Sequence, residues 1–536
     1  MRGHLDAADA VRPAAGLCLG IFCRHRSAGR SRGASASHGD KVTAVELTLN
    51  LAIWLPLAGA LLIVVLPGGE RWARWVALLV SGLALILALL LLFNFHRDLA
   101  ATDAAWLVPQ FSTQVPWITQ LGASYSVGLD GLSLPLFVLN ALLVFLAVLV
   151  SWQTSLRARE YFALVLVLET AVAGVFSSLD LLLFFLFWEL ELAPMFLLIG
   201  IWGGARREYA AMKFILYTVA GSALMLLGIL LLYLSGPSHT FDIRVLGGQT
   251  YPAAIGAGIW LLLFVGFAVK LPVFPLHTWL PDAHTEAPTA ISVLLAGVLL
   301  KMGAYGILRM NLGMLPEATR QFSTLLAVLA AVSIVYGALV AMMQTDLKRL
   351  IANSSVSHMG YVLLGASALT PIALQGAAFQ LVSHGMITGL LFVMVGLVYD
   401  RTHTREIPAL GGIAKRMPFI ATFFVVAGLA SLGLPGMAGF AAEFLVFLGA
   451  FPVHAIATIA GVATIVLTAG YLLWMLERVF FGPERPEWSH LPDMNRLEAL
   501  TVGAFVVVIV GLGVYPSILS DILIPTLTPI ASRLGG

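Results

Sequence analysis

Long apolar segments separated by short polar gaps run along almost the whole chain. A helix that crosses a membrane needs about 20 apolar residues, and we count fourteen segments of roughly that length. They cover residues 48–67, 73–95, 132–152, 160–178, 181–202, 213–235, 255–276, 290–310, 322–343, 350–368, 372–399, 417–449, 455–480 and 498–517. The pattern predicts an all-α polytopic membrane protein with about 14 transmembrane helices.

Two of these segments contain residues that interrupt a helix. In the seventh, Pro272 and Pro275 follow directly after Lys270, and the twelfth is unusually long and contains Gly433 and Pro435. Proline removes a backbone donor and clashes with the preceding turn. Since the freed backbone groups find no water in lipid, such breaks occur where protein surrounds them. We therefore predict that the seventh and twelfth helices are broken.

Composition agrees with a membrane protein and excludes several other classes. Of the 536 residues, 60% are hydrophobic and 11% are charged, whereas soluble domains carry about 25% charged residues. The basic residues form no patch that would indicate nucleic-acid binding. The only cysteines are Cys18 and Cys23, too few for a disulfide framework or a cysteine-ligated metal cluster. We expect no cofactor on this chain, so any redox group would belong to another subunit.

The loops differ in charge from one side of the predicted bundle to the other. The loops after odd-numbered spans hold sixteen Lys and Arg residues, and those after even-numbered spans, together with the C-terminal end, hold five when counted from residue 42. Cytoplasmic loops are enriched in Lys and Arg. This bias predicts that both termini lie outside the cytoplasm. We expect a bacterial inner-membrane protein, with both termini on the periplasmic side.

Residues 1–41 do not fit this arrangement. They contain seven Lys and Arg residues and no long apolar run, so the predicted orientation would place these charges on the wrong side. We interpret the segment as a misassigned start, with Val42 beginning the protein, or as a targeting sequence.

Ionisable residues inside the apolar segments are few, and a lipid-facing charge at the bilayer centre costs at least about 3 kcal/mol on insertion scales. The candidates are Glu169, Glu189, Glu191, Lys270, His277, Lys301, His358, His384 and Glu443. Such residues typically line ion or proton pathways. We expect Glu189, Lys270, His277, Lys301, His384 and Glu443 to translocate protons, and leave Glu169, Glu191 and His358 as accessory or uncertain.

Helix geometry limits how these candidates combine. Glu189 and Glu191 are two positions apart, about 200° around a helix, so at most one should lie on the main path and Glu191 could pair elsewhere. His277 follows Lys270 by seven residues, which would be about two helical turns. Ser357 could satisfy His358 locally.

Two further charged groups have simpler interpretations. We expect Asp346, Lys348 and Arg349 to form a solvated turn. The loop 277–288 has no Lys or Arg and could pack inward, and metal binding by His277, Asp282 and His284 is only a weak interpretation of its side chains.

The two broken spans lie five spans apart, which is typical of inverted-repeat transporters. We expect repeat one at residues 160–312 and repeat two at 320–481. Helices 1–3 would occupy residues 45–155, and the final helix and tail 498–536.

Several short motifs resemble one family, the antiporter-like subunits of respiratory complex I. They are GLDGLS at 128–133, FWE at 187–189, VKLP at 269–272, LHTWLPDAH at 276–284, APT at 287–289, SHMG at 357–360 and AEF at 442–444. The resemblance covers nearly everything from residue 45 onward. RTHTR at 401–405 and the chain's end soon after span 14 resemble the M type, the equivalent of mitochondrial subunit 4.

The resemblance implies a proton-pumping subunit of NADH:quinone oxidoreductase, a translocase, with other membrane-arm subunits and the lipid bilayer as its partners. It implies that Glu189 and Lys270 form a coupled pair, that Lys301 is the central relay, and that Glu443 is the terminal residue. His277 and His384 would connect these sites. FMN, iron–sulfur clusters and quinone would be bound by other subunits. Glu191 departs from the family pattern.

Two alternatives remain open. The chain could be a subunit of a multi-subunit sodium/proton antiporter of the Mrp type, which shares these motifs. It could also be a membrane scaffold whose buried charges only hold helices together.

Overall fold

A computed structural model describes residues 36–98 and 106–535, with side chains described from residue 47. Contacts divide the chain into two units, residues 1–43 and 44–536. Of the first unit, only residues 36–43 are described, and they form the beginning of a helix. The prediction for residues 1–41 therefore falls almost entirely outside the described residues. Apart from the first residues of that helix, the description below concerns the second unit.

The protein consists of helices and one small hairpin. The first two helices are α1 (Ala36–Val65) and α2 (Glu70–Phe93). The antiparallel strands β1 (Gln110–Ile118) and β2 (Ala123–Leu129) follow. The next helices are α3 (Ser133–Val150), α4 (Ala158–Ser177), α5 (Leu181–Leu190), α6 (Leu192–Trp202), α7 (Arg207–Ser235), α8 (Ile243–Leu246), α9 (Ala253–Lys270) and α10 (Trp279–Glu286).

The second part of the chain continues in the same way. Its helices are α11 (Thr289–Leu294), α12 (Leu300–Gly306), α13 (Pro316–Met342), α14 (Leu347–Ala368), α15 (Pro371–Thr402), α16 (Pro418–Ser431), α17 (Ala438–Ala450), α18 (Ala455–Leu476), α19 (Arg496–Val514) and α20 (Ser517–Arg533). Three π-helical segments, Leu295–Leu299, Ile307–Leu312 and Glu477–Phe481, extend α11, α12 and α18.

The predicted helical membrane fold is confirmed. Among the described residues, twelve helices are long and apolar enough to cross a membrane. Two predicted spans are not among the twelve. One is α14, whose 22 residues are long enough but include several polar side chains, most of them buried. The other is the pair α16 and α17, each too short alone. The count of fourteen stays a prediction.

Both predicted helix breaks are present. Helix α9 ends at Lys270, and the chain turns through the two prolines before α10 begins. Residues 432–437 separate α16 from α17, and Gly433 and Gly436 there adopt φ angles of +80° and +90°. These left-handed conformations favour glycine because it has no Cβ. At each break, a helix ends partway along the predicted span, at Lys270 in α9 and at Ser431 in α16.

The fold also contains elements that the sequence analysis did not predict. The β1–β2 hairpin lies between the second and third predicted spans, where no element was assigned. Helix α20 follows the last predicted span despite containing Pro525 and Pro529. The hairpin is the one departure from an all-α fold among the described residues.

The loops assigned to one side by charge meet one another. Arg206 lies 3.9 Å from Asp282, Arg349 also lies 3.9 Å from Asp282, and Arg405 lies 3.4 Å from Asp346. These residues come from the loops after spans 5, 7, 9 and 11. Their contacts place four odd-numbered loops together at one end of the bundle.

The even-numbered loops meet in the same manner. Arg533, near the C-terminal end, donates to the carbonyls of Gly313 and Gly247 and lies over the Trp106 ring. These residues belong to the regions after spans 8, 6 and 2. The alternation of loops between two ends of the bundle therefore matches the predicted order of spans.

Candidate functional site

The first buried charge pair forms where two helices end. Pro194 cannot donate the hydrogen bond that would continue α5, and Glu191 lies in the resulting break between α5 and α6. Its Oε1 contacts Nζ of Lys270, the last residue of α9. The side chains of Glu191 and Lys270 are 0% and 1% exposed. Both charges are therefore held inside the protein at interrupted helices.

Aromatic rings enclose this pair. The Trp188 and Phe214 ring centroids lie 5.2 and 5.6 Å from Nζ of Lys270, distances at which a cation is attracted to a ring face. A buried ion pair is costly to break by removing one partner, because the other charge stays unpaired in a low-dielectric environment. Lys270 and Glu191 thus depend on each other for burial.

The structure gives Lys270 a different partner from the one that the resemblance implied. The contacting carboxylate belongs to Glu191, and Glu189 is half-buried on α5 with its Oε1 unpaired. The expectation that the two glutamates cannot share a face agrees with this geometry. Glu189 remains within electrostatic reach of Lys270. Lys270 therefore contacts Glu191, and the coupling of Glu189 to Lys270 stays a prediction.

Lys301 occupies the centre of the protein. It follows the π-helical segment Leu295–Leu299, where the N–H of Leu300 donates to Leu295 O instead of to Ala296 O. Nζ of Lys301 contacts Ala296 O and lies 2.8 Å from Nδ1 of His384. Short π segments are common at functional sites. Here the irregular segment supplies a carbonyl acceptor for a buried lysine.

A histidine pair connects Lys301 to Glu443. The rings of His384 and His358 have centroids 5.9 Å apart. Nδ1 of His358 lies 2.9 Å from Oε1 of Glu443, and Ser431 Oγ lies 3.3 Å from the other His358 nitrogen. Lys301, His384, His358 and Glu443 therefore form a series of neighbouring ionisable groups. His358, which the sequence analysis left as accessory, belongs to this series.

A small cavity separates the two histidines. Its volume is about 10 Å³, and its lining includes His358, Gln380, His384 and Glu443. His384 Nε2 and Gln380 Oε1 have no hydrogen-bond partner. One water molecule needs roughly this volume together with two or more polar partners. The cavity can therefore hold a water molecule that joins His384 to His358.

Close backbone packing brings the two lysines near each other. Gly303 lies two residues after Lys301, and a Cβ at Gly303 would be 2.6 Å from Phe267 O and 3.0 Å from Cβ of Lys270. Only glycine allows this approach of α12 to the end of α9. Gly303 therefore permits the close approach of the helices that carry Lys270 and Lys301.

We call Glu191, Lys270, Lys301, His384, His358 and Glu443 the central line. All six side chains are buried. They come from six helices or helix ends. Glu191 contacts Lys270, and Lys301, His384, His358 and Glu443 follow one another within contact or across one small cavity. A chain of this kind can pass protons or transmit a change of charge.

Besides Glu189, two candidate residues lie outside the central line. His277 was expected two helical turns beyond Lys270, but α9 ends at Lys270 and the chain turns, so that geometry is wrong. His277 packs against Phe274 and Tyr336 instead, with ring centroids 5.8 and 5.1 Å away. Glu169 is buried in α4, and neither carboxylate oxygen has a hydrogen-bond partner.

The expected solvated turn at residues 346–349 is only partly correct. Lys348 is 4% exposed, and its Nζ donates to Ala287 O at 2.6 Å and to Ser292 Oγ at 3.3 Å. Asp346 accepts from the N–H of Arg349 and so caps α14. The loop 277–288 packs inward as expected, with the short helix α10 largely buried. Lys348 is therefore an internal cation that the sequence analysis missed.

No metal site is indicated in the part of the chain that the structure describes. Within residues 36–98 and 106–535, no group of three His, Cys, Asp or Glu side chains could hold a metal ion. His277, Asp282 and His284 do not form such a group.

Comparison with known proteins identifies the family. A family model described as "NADH:quinone oxidoreductase/Mrp antiporter, TM" matches residues 178–468. The chain belongs to this family. The match contains all six residues of the central line, and Glu169 precedes it. The resemblance drawn from the motifs is confirmed, and the chain is a multi-pass membrane protein.

Relatives extend the similarity beyond the family model. The NAD(P)H-quinone oxidoreductase chain 4 1 of Synechococcus sp. (strain JA-3-3Ab) is 44% identical over 496 residues, covering 91% of this chain and 93% of the relative. NADH-quinone oxidoreductase subunit M of Rhodobacter capsulatus is 42% identical over 495 residues, covering 89% and 95%. A chain of respiratory complex I from Thermus thermophilus with bound NADH is 32% identical with a TM-score of 0.83, covering 91% of this chain and 100% of that one.

Proposed function

We propose that this chain is the proton-translocating membrane subunit, of the M type, of an NADH:quinone oxidoreductase. The single observation that carries the proposal is the central line, in which buried Lys301, His384, His358 and Glu443 succeed one another within contact or across one small cavity. The names of the relatives supply the reaction. Ionisable groups are costly to bury in a membrane protein, and those that are found there typically mark ion or proton pathways.

The partners and cofactors follow from this assignment. FMN, iron–sulfur clusters and quinone would be bound by other subunits, and this chain would lie among the antiporter-like subunits of the membrane arm. We place it in a bacterial inner membrane with both termini on the periplasmic side, which the grouping of basic loops at one end of the bundle supports. Residues 160–312 and 320–481 would be the two inverted repeats, each containing one broken helix.

The first step would be a change in the Glu191–Lys270 pair. Glu189 is partly exposed on α5 and within electrostatic reach of Lys270, so a charge in an adjacent subunit can act through it. When that charge draws Lys270 away from Glu191, the positive electrostatic potential that the Lys270 ammonium produces at Lys301 increases. Two like charges in a low-dielectric interior repel strongly, and Lys301 then favours loss of its proton.

The second step would be proton transfer along the other half of the central line. Lys301 gives a proton from Nζ to Nδ1 of His384, and His384 releases one from Nε2 to the water site. His358 receives it at Nε2 and passes one from Nδ1 to the carboxylate of Glu443. Each histidine returns to its neutral form, because imidazole can accept at one nitrogen while it donates at the other. His277 would act as an additional proton site near the end of α9, and Glu169 as an accessory acceptor.

The test uses the whole complex in membrane vesicles. Lys301→Ala and Lys301→Arg are compared by NADH-driven quinone reduction and by acidification of the vesicle interior. We expect both rates to fall at least about tenfold in both variants, because arginine does not release its proton. A scaffold would tolerate Lys301→Arg, so full activity of that variant would refute the proposal.

The Mrp-type alternative is supported by the shared motifs and by the family description, which names both kinds of complex. The same vesicles separate the two. Sodium-dependent proton exchange without NADH would support an antiporter, whereas acidification that requires NADH supports the oxidoreductase.

A further inference from the structure

The end of α10 presents backbone carbonyls that its own helix cannot satisfy. The last hydrogen bond within the helix runs from the N–H of Ala287 to Ala283 O, and Pro288, which follows, has no N–H to donate. The carbonyls of residues 284–287 therefore need other partners, as the last four carbonyls of any helix do. Since residues 284–287 are buried, these partners have to be groups of the protein.

Four separate segments of the chain supply the partners, one for each carbonyl. Ser292 Oγ donates to His284 O at 3.1 Å, Arg405 Nη1 to Thr285 O at 2.6 Å, the Gly204 N–H to Glu286 O at 2.8 Å, and Lys348 Nζ to Ala287 O at 2.6 Å. Two of the donors are cations, which are favourable at the negative, C-terminal end of a helix. We call these four donors and their carbonyls the α10 clamp.

The α10 clamp lies between the parts of the chain that carry the two buried lysines. At the start of α10, Trp279 Nε1 donates to the carbonyl of Val269, the residue before Lys270, at 2.8 Å. Beyond the clamp, Thr289 begins the continuous helical segment that contains Lys301. A displacement of α10 would therefore move the surroundings of both lysines.

The two cations of the clamp come from the histidine half of the central line. Lys348 lies in the first turn of α14, which carries His358, and Arg405 follows α15, which carries His384. The clamp thus connects the helices of the two histidines to the helix between the two lysines. Loss of the clamp would remove one of the connections that hold Lys301 at 2.8 Å from His384.

The contacts of Lys348 suit a fixed charge and not a proton carrier. Its side chain is 4% exposed, and its Nζ is hydrogen-bonded to Ala287 O and to Ser292 Oγ. A backbone carbonyl only accepts a hydrogen bond. The end of α10 therefore requires a charged donor at position 348, and it does not require a group that releases its proton.

We propose that Lys348 is a positioning residue for proton translocation, because its ammonium holds the end of α10 and so keeps Lys301 within transfer distance of His384. Arg405 does the same at the neighbouring carbonyl. Neither residue takes part in proton transfer itself. This inference rests on the proposed function, and it adds the contacts that keep the two halves of the central line aligned.

The test measures NADH-driven acidification per assembled complex in vesicles, because a loss of stability alone changes the amount of complex and not this rate. Lys348→Met fills a similar volume without a donor. It should lower the rate at least about tenfold, since small displacements from the reacting geometry slow a transfer strongly. Lys348→Arg keeps a charged donor and should stay within about twofold of the unmodified rate, although arginine does not release its proton.

Two further variants complete the comparison. Lys301→Arg should lose acidification, so the two buried lysines should respond oppositely to arginine. Lys415→Met, at a lysine whose side chain is 73% exposed, is the matched control and should behave as the unmodified complex.

The outcomes separate the inference from the proposed function. Loss with Lys348→Met, retention with Lys348→Arg and loss with Lys301→Arg support both. Unchanged acidification with Lys348→Met, or equal loss in both Lys348 variants, overturns the inference, while loss with Lys301→Arg leaves the function standing. Unmodified rates in every variant overturn both.

Arg405 decides the question if a Lys348 variant fails to assemble. Its side chain is 24% exposed, and Arg405→Met and Arg405→Lys are compared by the same measurement. A slow Arg405→Met together with a near-normal Arg405→Lys supports the inference, and any other result overturns it.

Discussion

Glu191→Gln removes the carboxylate that neutralises Lys270 while it nearly preserves the volume of the side chain. Both side chains are almost fully buried, so water cannot replace the lost partner. Breaking one partner of a buried ion pair costs about 3–5 kcal/mol. Deprotonation of Lys270 to its neutral amine would lower this free-energy cost. Lysine has an ordinary pKa of about 10.4, so discharging one at pH 7 costs about 5 kcal/mol, and this value limits the penalty.

The matched variant is Glu189→Gln, in which the change is chemically identical but the carboxylate does not contact Lys270. We expect it to cost less than about 1 kcal/mol, the range for a partly exposed pair. A double variant, Glu191→Gln with Lys270→Met, removes both buried charges. It should recover most of the stability, since apolar replacement of a whole buried pair is often neutral.

The assay is the thermal stability of the purified complex together with its NADH-driven quinone reduction. Glu191→Gln should lower stability, and the double variant should restore stability without restoring activity. The reasoning would be refuted if Glu189→Gln destabilised the complex more than Glu191→Gln. That outcome would indicate that Glu189, as the resemblance implied, is the main electrostatic partner of Lys270.

Two further predictions concern the middle and the far end of the central line. His358→Leu should lower NADH-driven acidification at least about tenfold while leaving assembly intact, because Glu443 loses its 2.9 Å partner; an unchanged acidification rate would remove His358 from the path. Gly303→Ala should destabilise the complex by about 1–3 kcal/mol, since its Cβ would lie 2.6 Å from Phe267 O. Gly258→Ala, where a Cβ meets nothing within 4 Å, is its control, and equal thermal midpoints for the two variants would contradict the packing argument.

Features that depend on local chemistry could be predicted from the sequence. The breaks at Lys270 and at residues 432–437 follow from proline and glycine, whose effects act within one turn. The membrane class follows from apolar runs and scarce charge, and the candidate residues follow from the cost of burying charge in a span. These arguments need no knowledge of which helices are neighbours.

Features that depend on packing between helices could not be predicted. Lys270 contacts Glu191, which lies where the helix is interrupted before Pro194. Pro194 is the one sequence signal of this interruption. His358 belongs to the central line because α14 lies inside the bundle beside α15 and α17, which sequence spacing does not reveal.

The burial of Lys348, at the end of the bundle, also could not be predicted from the sequence. It looked like part of a solvated turn because charged residues surround it in sequence. The structure buries it, because α14 begins beneath the inward-packed segment around Ala287. Charge patterning along a chain predicts which side a loop occupies, but it does not predict how deeply each side chain is buried.

The most direct measurement of the central claim is the rate of NADH-driven acidification in vesicles that contain the complex with Glu443→Gln. Glutamine keeps the size of Glu443 and a hydrogen-bonding oxygen for His358, but it cannot accept the proton. Our account predicts that acidification falls at least about tenfold in a complex that assembles normally. Acidification at the unmodified rate would contradict it.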